Sequence, residues 1–484
     1  MNQAVTRLVD FRKNIHQSIP YRSDATMELI DTIAGNTSAR SPAELSLGSL
    51  FHRQYSSLYD AVDNFFVPGD SDQSGVERYE QQQKRMHIVA GYYPEPTKRN
   101  FYQFGLDATT QPRPFAHTLN DRGIHYYPNP APGNNPIIVG HNYSVLAGLP
   151  EKEDKTSPPW VIPLSLRRVP TDKKATDVGA AQLEDILKDK ELPFGSHLSS
   201  VVGDSAYSAR EFIGQVVEHE NLATNVRVRS NRTFYRMPQK EEGPKRQGHP
   251  QWYGEPFQMK DSCTWGEADA QESFPFTFRS GRICQIEMQG WYNIVMRGKK
   301  DIAMHEHPFT LIRVVVKDSD GEMVFNHPLW LTIHGERRYE ISLSDAYEAY
   351  RQRYDMEHFF RFGKTRLLMA SYQSPDVEHE ENWWEIVGLA YVELYLAVPL
   401  ASSLPRPWER YLPQVNNSSG QLLSPSMVQR DLPRIIQEIE NPVWLPKPRG
   451  KSPGRPKGYS PGKRERQPVV KKGKKDTSKS ARGP

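Results

Sequence analysis

The spacing of apolar positions changes along the chain, and each change marks a boundary. In the first ~95 residues the spacing is helical. Leu47, Leu50, Phe51, Tyr55, Leu58, Val62 and Phe65 recur at three- and four-residue steps, and Ser41-Pro42 ahead of them offers a cap and a first-turn proline. PGDSDQSG, Pro68 to Gly75, reads as a loop. From Phe101 the pattern turns to short β-rich runs separated by Pro, Gly and Asn: FYQFGLDATT, GIHYY, PIIVGHNYSVL and PWVIPLSLRRV. An amphipathic helix follows (Asp177 to Lys190), then a buried strand (Ser199 to Asp204), a helix (Ala209 to Glu220) and a strand (Thr224 to Arg229).

Strands, then helix, strand, helix, strand, is the order of a ribonuclease-H-like α/β core that still lacks its last helix. Between about Ser230 and Glu340 the chain is rich in Trp, Pro, Gly and alternating apolar residues, with RICQIEMQGWYNIVM and FTLIRVVVK reading as strands. This predicts a β-rich insertion. A single long helix is expected from Ser344 to Ala370, and a second, core-packed helix from Asn382 to Leu396. The expected divisions are a helical domain at 1–95, which reads as a plain helical bundle with a DNA-end-binding module as the alternative, core at 96–229, insertion at 230–340, the last core helices at 341–445 and a basic tail at 446–484.

Composition adds where the partners are. The chain carries 62 Lys and Arg against 58 Asp and Glu, but the charge is uneven. From Lys447 to Pro484 there are 14 basic and 2 acidic residues, so the tail is strongly positive and the body mildly negative. Such a tail is the footprint of nucleic-acid binding. With almost no apolar residues it is expected to be disordered when free. Within it PGRPKG, Pro453 to Gly458, resembles an AT-hook, with Arg455 directed at an A·T minor groove. A solubilising, phosphate-binding tail fits the same composition. The most apolar helical stretch, Ile386 to Ala401, is interrupted by Glu393 and Pro399 and falls short of the ~20 residues of a membrane span. Cys263 and Cys284 form no paired motif. A cytoplasmic, nucleoid-associated protein is expected.

Three carboxylates carry candidate chemistry. Asp107 ends an apolar strand in GLDATT, where an ordinary Asx turn is the alternative. Asp204 in VVGDSAYS stands at the carboxyl end of a buried strand, where ligands bind in open α/β sheets, and a helix N-cap is the alternative. Glu357 shares one helical face with Tyr350, Arg353 and Lys364, and Phe360 and Leu367 continue that face. A solvated stripe has no use for those apolar residues. A carboxylate that binds a cation between phosphate-binding groups does.

Tyr350-x2-Arg353-x3-Glu357-x6-Lys364 matches the Y-x2-R-x3-E-x6-K signature of the insertion-sequence-4 superfamily of DDE transposases. The chain resembles the 701 branch of those elements, with GLDATT and VVGDSAY similar to its two Asp motifs, over about Phe101 to Leu396. The resemblance implies a cut-and-paste transposase that cleaves and joins double-stranded DNA at element ends and target. It implies that Asp107, Asp204 and Glu357 bind two Mg²⁺, with Mn²⁺ able to substitute. Arg353 and Lys364 would hold phosphates and Tyr350 would touch the DNA end. A homodimer on DNA is expected on the same ground. The family often stacks a flipped base on an insertion Trp, and Trp252, Trp265, Trp291 and Trp330 lie there, each also suited to core packing. His305 and His307 read as a surface pair. His141 follows a β run that would neighbour the Asp107 strand. Two other functions fit the sequence: a catalytically inactive transposase-derived DNA-binding protein, and a ribonuclease-H-like repair nuclease.

Overall fold

The computed structural model describes residues 2–66, 74–127, 136–154, 156–238, 251–278, 281–404, 423–448, 454–460 and 462–471. The chain opens with helices α1 (Asn2–Ser18), α2 (Ser23–Ala34), α3 (Tyr55–Asp63) and α4 (Ser74–Ala90). The continuous helix expected from Leu47 is broken. Ala43–Leu47 forms a 3₁₀ turn, Gly48 is extended, and α3 starts at Tyr55. Gly48 closes tightly on α2, where a Cβ would stand 2.8 Å from Thr32 Cγ2. That approach stops the helix and leaves Leu47 85% exposed.

β1 (Tyr102–Pro112), β2 (Gly123–Tyr126), β3 (Ile137–Gly148) and β4 (Ile162–Val169) are followed by α5 (Ala175–Lys188), β5 (Ser199–Gly203), α6 (Arg210–Val216) and β6 (Leu222–Val228). β3 runs antiparallel to β1, β2 and β4, whereas β5 lies parallel to β1 and β6 parallel to β5. Across the sheet the core order is therefore β4-β3-β1-β5-β6. The expected insertion is strand-built: β7 (Thr233–Arg236), β8 (Pro256–Gln258), β9 (Ala270–Thr277), β10 (Ile283–Val295), β11 (Phe309–Lys317) and β12 (Leu329–His334). β12 pairs with β6, Trp330 opposite Val228, so these strands continue the core sheet.

The long helix expected from Ser344 is two helices, α7 (Leu343–Gln352) and α8 (Tyr354–Arg366). At the joint the Arg353 amide bonds Tyr350 O at 3.1 Å and the Met356 amide bonds Arg353 O at 3.0 Å. These are tightened i→i+3 turns, and all the local residue types are compatible with either winding. α9 (Val377–Ser403) is longer than expected and runs through both Glu393 and Pro399. It is long and apolar enough to cross a membrane by length and composition, yet 78% of its most apolar stretch is buried. α1, α2, α3, β4 and α10 (Pro425–Glu438) pack on it. The N-terminal helices thus share one hydrophobic core with the sheet.

Part of the basic tail has a place in the fold. The Gln467 and Val470 amides each donate at 2.8 Å, to His117 O and Arg122 O, and Val470 pairs in parallel with Gly123 of β2. The expectation of a wholly disordered tail therefore does not hold for 462–471. The residues cannot bury a core, but they can borrow a sheet edge.

Candidate active site

Alternation along β1 decides which side chains meet. Gly105 faces α8, where a Cβ would stand 2.9 Å from Met356 Cγ, whereas Leu106 faces Gly179 of α5. The odd positions of β1 therefore share the face that α7 and α8 cover. Gln103 Nε2 donates to Ala349 O at 2.7 Å, and Gln111 Nε2 to Ala370 O at 3.1 Å. Between them Asp107 meets Arg353, whose Nη1 donates to Asp107 Oδ2 at 3.1 Å. Thr109 Oγ1 accepts from Lys364 Nζ at 2.6 Å, and Thr110 O accepts from it at 3.0 Å. The absence of a side chain at Gly105 lets α8 close on β1 and brings this series together.

Arg353 joins two of the three expected acids. Its Nη2 donates to Glu357 Oε1 at 3.2 Å, one turn along α8. Asp204 arrives from β5. Gly105 pairs with Val202, so the parallel register carried two residues further brings Asp204 beside Asp107. Asp204 Oδ1 accepts the Ala206 amide at 2.8 Å in an Asx-type turn. The helix N-cap is instead Ala209, so that alternative does not hold.

The electrostatics place the acids within each other's fields. Burial pushes the Asp107 carboxyl up to about 6. Asp204 and Glu357 add to the rise, while Arg353 and the Ala108 amide oppose it. Arg353 is held above the usual guanidinium value: burial lowers it, and Asp107, Tyr350 and Glu357 more than compensate. Its Nε is buried without a hydrogen-bond partner among the described residues, so the two carboxylates do not saturate it. Burial alone lowers Lys364 to about 8. Tyr350 lies beside this series, with the Arg353 guanidinium carbon 5.7 Å from its ring centre. Beyond it α7 and α8 open into a cleft of about 930 Å³, lined by Arg99, Lys152, Phe276, Phe278, Tyr354 and His358 among others.

Among the described residues no three His, Cys, Asp or Glu side chains stand close enough to hold a metal ion together. Arg353 is interposed between Asp107 and Glu357. The donor set is nonetheless carboxylate oxygen only, the chemistry that Mg²⁺ prefers. The residues therefore fit a hard divalent ion by type, on condition that Arg353 yields Glu357.

A family model described as DDE superfamily endonuclease matches residues 14–293, more than half of the chain. The chain belongs to the DDE superfamily endonucleases. No curated protein matches the chain. The matched residues of this DDE endonuclease include Asp107 and Asp204 and end before Glu357.

Other expected residues fall elsewhere. His141 is buried away from the acids, opposite Gln111 on β1. Its Nδ1 meets Glu380 Oε1 and its Nε2 meets Asn120 O, each at 2.8 Å. With Arg113 and Tyr143, which also reach Glu380, it ties β3 and β1 to α9. His305 lies in a 3₁₀ turn and stacks on Trp252, and His307 pairs with Glu218 at 3.2 Å. Trp291 and Trp330 are core, Trp265 is partly buried against them, and Trp252 is 41% exposed. Arg455 is exposed beside Tyr459, just before a turn closed by the Tyr459 amide on Pro456 O at 3.0 Å, and Pro453 of the AT-hook-like PGRPKG lies outside the described residues. Tyr207 was not singled out by sequence. It is buried, and burial with Asp107 and Asp204 nearby raises its hydroxyl far above the usual range. Its place three residues after Asp204 was the available signal.

One expected result follows from Lys364. Its charge is present below about pH 8 and lost above it, because the buried site disfavours the ammonium. A bound phosphate would restore the charge and take up a proton. DNA affinity measured by anisotropy should fall several-fold, up to about ten-fold per unit, as pH rises through 8. Lys364→Arg should flatten that dependence, and an unchanged slope in this variant would remove Lys364 from the interface.

Proposed function

We propose that this DDE endonuclease is a transposase that cuts a mobile DNA element at its ends and joins it to a target. The observation that carries the reading is Arg353, which draws Asp107 of β1 and Glu357 together beside the end of β5, where Asp204 lies. The strand order of three antiparallel strands followed by two parallel ones, with helices between, supports a ribonuclease-H-like core. The spacing of Tyr350, Arg353, Glu357 and Lys364 supports the insertion-sequence-4 superfamily and its 701-like branch.

Asp107, Asp204 and Glu357 would hold two Mg²⁺, or Mn²⁺, which when bound neutralise charge on the attacking and leaving oxygens. The unsatisfied Nε of Arg353 and the buried ammonium of Lys364 would take oxygens of the phosphate at the cut. Tyr350 would position the DNA end. Water adds to phosphorus at the element boundary, and the displaced oxygen leaves as a 3′-hydroxyl. That hydroxyl then attacks a second phosphodiester, forming one phosphorus–oxygen bond as another breaks. Trp252, which stacks on His305, is the most exposed of the four insertion Trp residues and is the one proposed to stack a base, worth ~1–3 kcal/mol. A homodimer pairing two ends in the cytoplasm, at the nucleoid, completes the proposal.

The test is incubation of the full chain with duplex carrying its element's end, with Mg²⁺ and with EDTA. Nicking at the boundary in Mg²⁺ only is expected. Sequence-specific binding without cutting would replace the reading by an inactive DNA-binding protein. Cutting of branched DNA without preference for the end would replace it by a repair nuclease.

A further inference from the structure

The docked tail segment carries this inference, which rests on the DNA-cutting function proposed above. Arg122 is almost wholly buried, and its guanidinium gives all its bonds to carbonyls. Leu119, Arg113 and Pro114 accept from it at 3.3–3.4 Å, and Gln467 of the tail accepts from Nη2 at 3.2 Å. The tail answers with the Gln467 and Val470 amides on His117 O and Arg122 O. Without the tail this buried cation loses one acceptor, which is unfavourable. The contact is thus a built seat at the start of β2, made by two tail amides, one tail carbonyl and a single bridge at Gly123.

The seat lies on the same sheet as the acids. Val470, Gly123, Gly140 and Pro112 are neighbours across successive strands. Three strand spacings of ~4.8 Å and five residues of ~3.4 Å put the seat about 20 Å from Asp107. Cations follow the same path: Arg353 at Asp107, Lys364 at Thr109 and Thr110, then the tail. Lys463, Arg464, Arg466 and Lys471 flank the seat and are all exposed, with Glu465 the one acid among them. A duplex turn spans ~34 Å, so a duplex held at the acids can reach this arm within one turn.

We propose that residues 462–471 form an anchored arm that grips duplex DNA phosphates beside the active site. The anchor matters as much as the charge. A free basic tail pays ordering entropy on each encounter, whereas a seated one presents its cations in place.

The test uses the full chain and a 40-bp duplex ending in the element boundary, with anisotropy read across a salt series. Gln467→Pro with Val470→Pro removes both amide donors and leaves every charge. K463A/R464A/R466A removes charge and leaves the anchor. Each set is expected to weaken binding about ten-fold at 150 mM salt, and the alanine set to reduce the log–log salt slope by about 2–3. Combining the sets should cost little more than either alone. In the parent, the Gln467 and Val470 amides should exchange slowly. Parent-like binding by the proline variant, with a loss in the alanine set, would overturn the anchor. Parent-like binding by the alanine set would overturn the DNA contact, and fast exchange at both amides would overturn the anchor. Both failures leave Mg²⁺-dependent nicking by the parent intact. A parent that neither binds nor nicks the duplex defeats the transposase reading itself.

Discussion

Asp107→Asn, Asp204→Asn and Glu357→Gln should each lower Mg²⁺-dependent strand cleavage by about a thousand-fold or more, with duplex binding changed only a few-fold. The amides are chosen because they keep shape and a hydrogen-bond acceptor. Asn at 204 can still take the Ala206 amide, and Gln at 357 can still take Arg353 Nη2. If the acids serve only to build a turn and an ion pair, these variants remain active. If they hold a divalent cation, each loses a charged ligand. Losing several kcal/mol of charge stabilisation corresponds to the stated factor, at ~1.4 kcal/mol per decade. Alanine at the same positions should do no better. Asp107→Ala adds a second effect, since it deprives the buried Arg353 of one partner. Single-turnover nicking beside anisotropy separates chemistry from binding. Full cleavage by any one variant removes that residue from the set.

The parts legible in the sequence were those with a local signature. Asp107 and Asp204 stand out because an apolar run ends beside each of them; β5 does end just before Asp204, but β1 continues to Pro112, so Asp107 lies within its strand and not at the strand end expected. Tyr350, Arg353, Glu357 and Lys364 are legible because helical winding maps their spacing to one side. The joint at Arg353 is not, since a 3₁₀ turn and an α turn suit the same residues. That joint matters, because Arg353 reaches both Asp107 and Glu357 from it. The remaining misses depend on distant partners. Gly48 stops a helix through Thr32 of another element. The tail segment has no pattern of its own, and its seat is built from His117, Arg122 and Gly123. His141 is explained by Glu380, far along the chain, rather than by its neighbour strand.

Arg12→Leu should destabilise the fold by about 3–5 kcal/mol, the largest stability effect expected of a single substitution here. Arg12 is fully buried in α1 and pairs with Asp31 of α2 and Glu393 of α9, whose side chains are 2% and 0% exposed. Its Nη2 also donates to Asn441 Oδ1 at 3.0 Å. One guanidinium thus ties the N-terminal helices to the central helix and to the chain after α10. The penalty arises from what remains: two carboxylates in an apolar core without a cation. Burial and the Asp31 charge already hold the Glu393 carboxyl well above the usual range, with Arg12 opposing them. Removing Arg12 raises it further. An acid whose folded value exceeds its unfolded one favours folding in its protonated form, so this group's contribution is present at low pH and lost as pH rises. The variant should therefore regain stability on acidification from neutrality toward the ordinary carboxylate range. The denaturation midpoint in urea, measured at several pH values, reads both effects. Adding Asp31→Asn and Glu393→Gln to Arg12→Leu should restore much of the loss, since no charge is then stranded. If Arg12→Leu alone unfolds at the parent's midpoint, the triad is not the clasp between α1, α2 and α9.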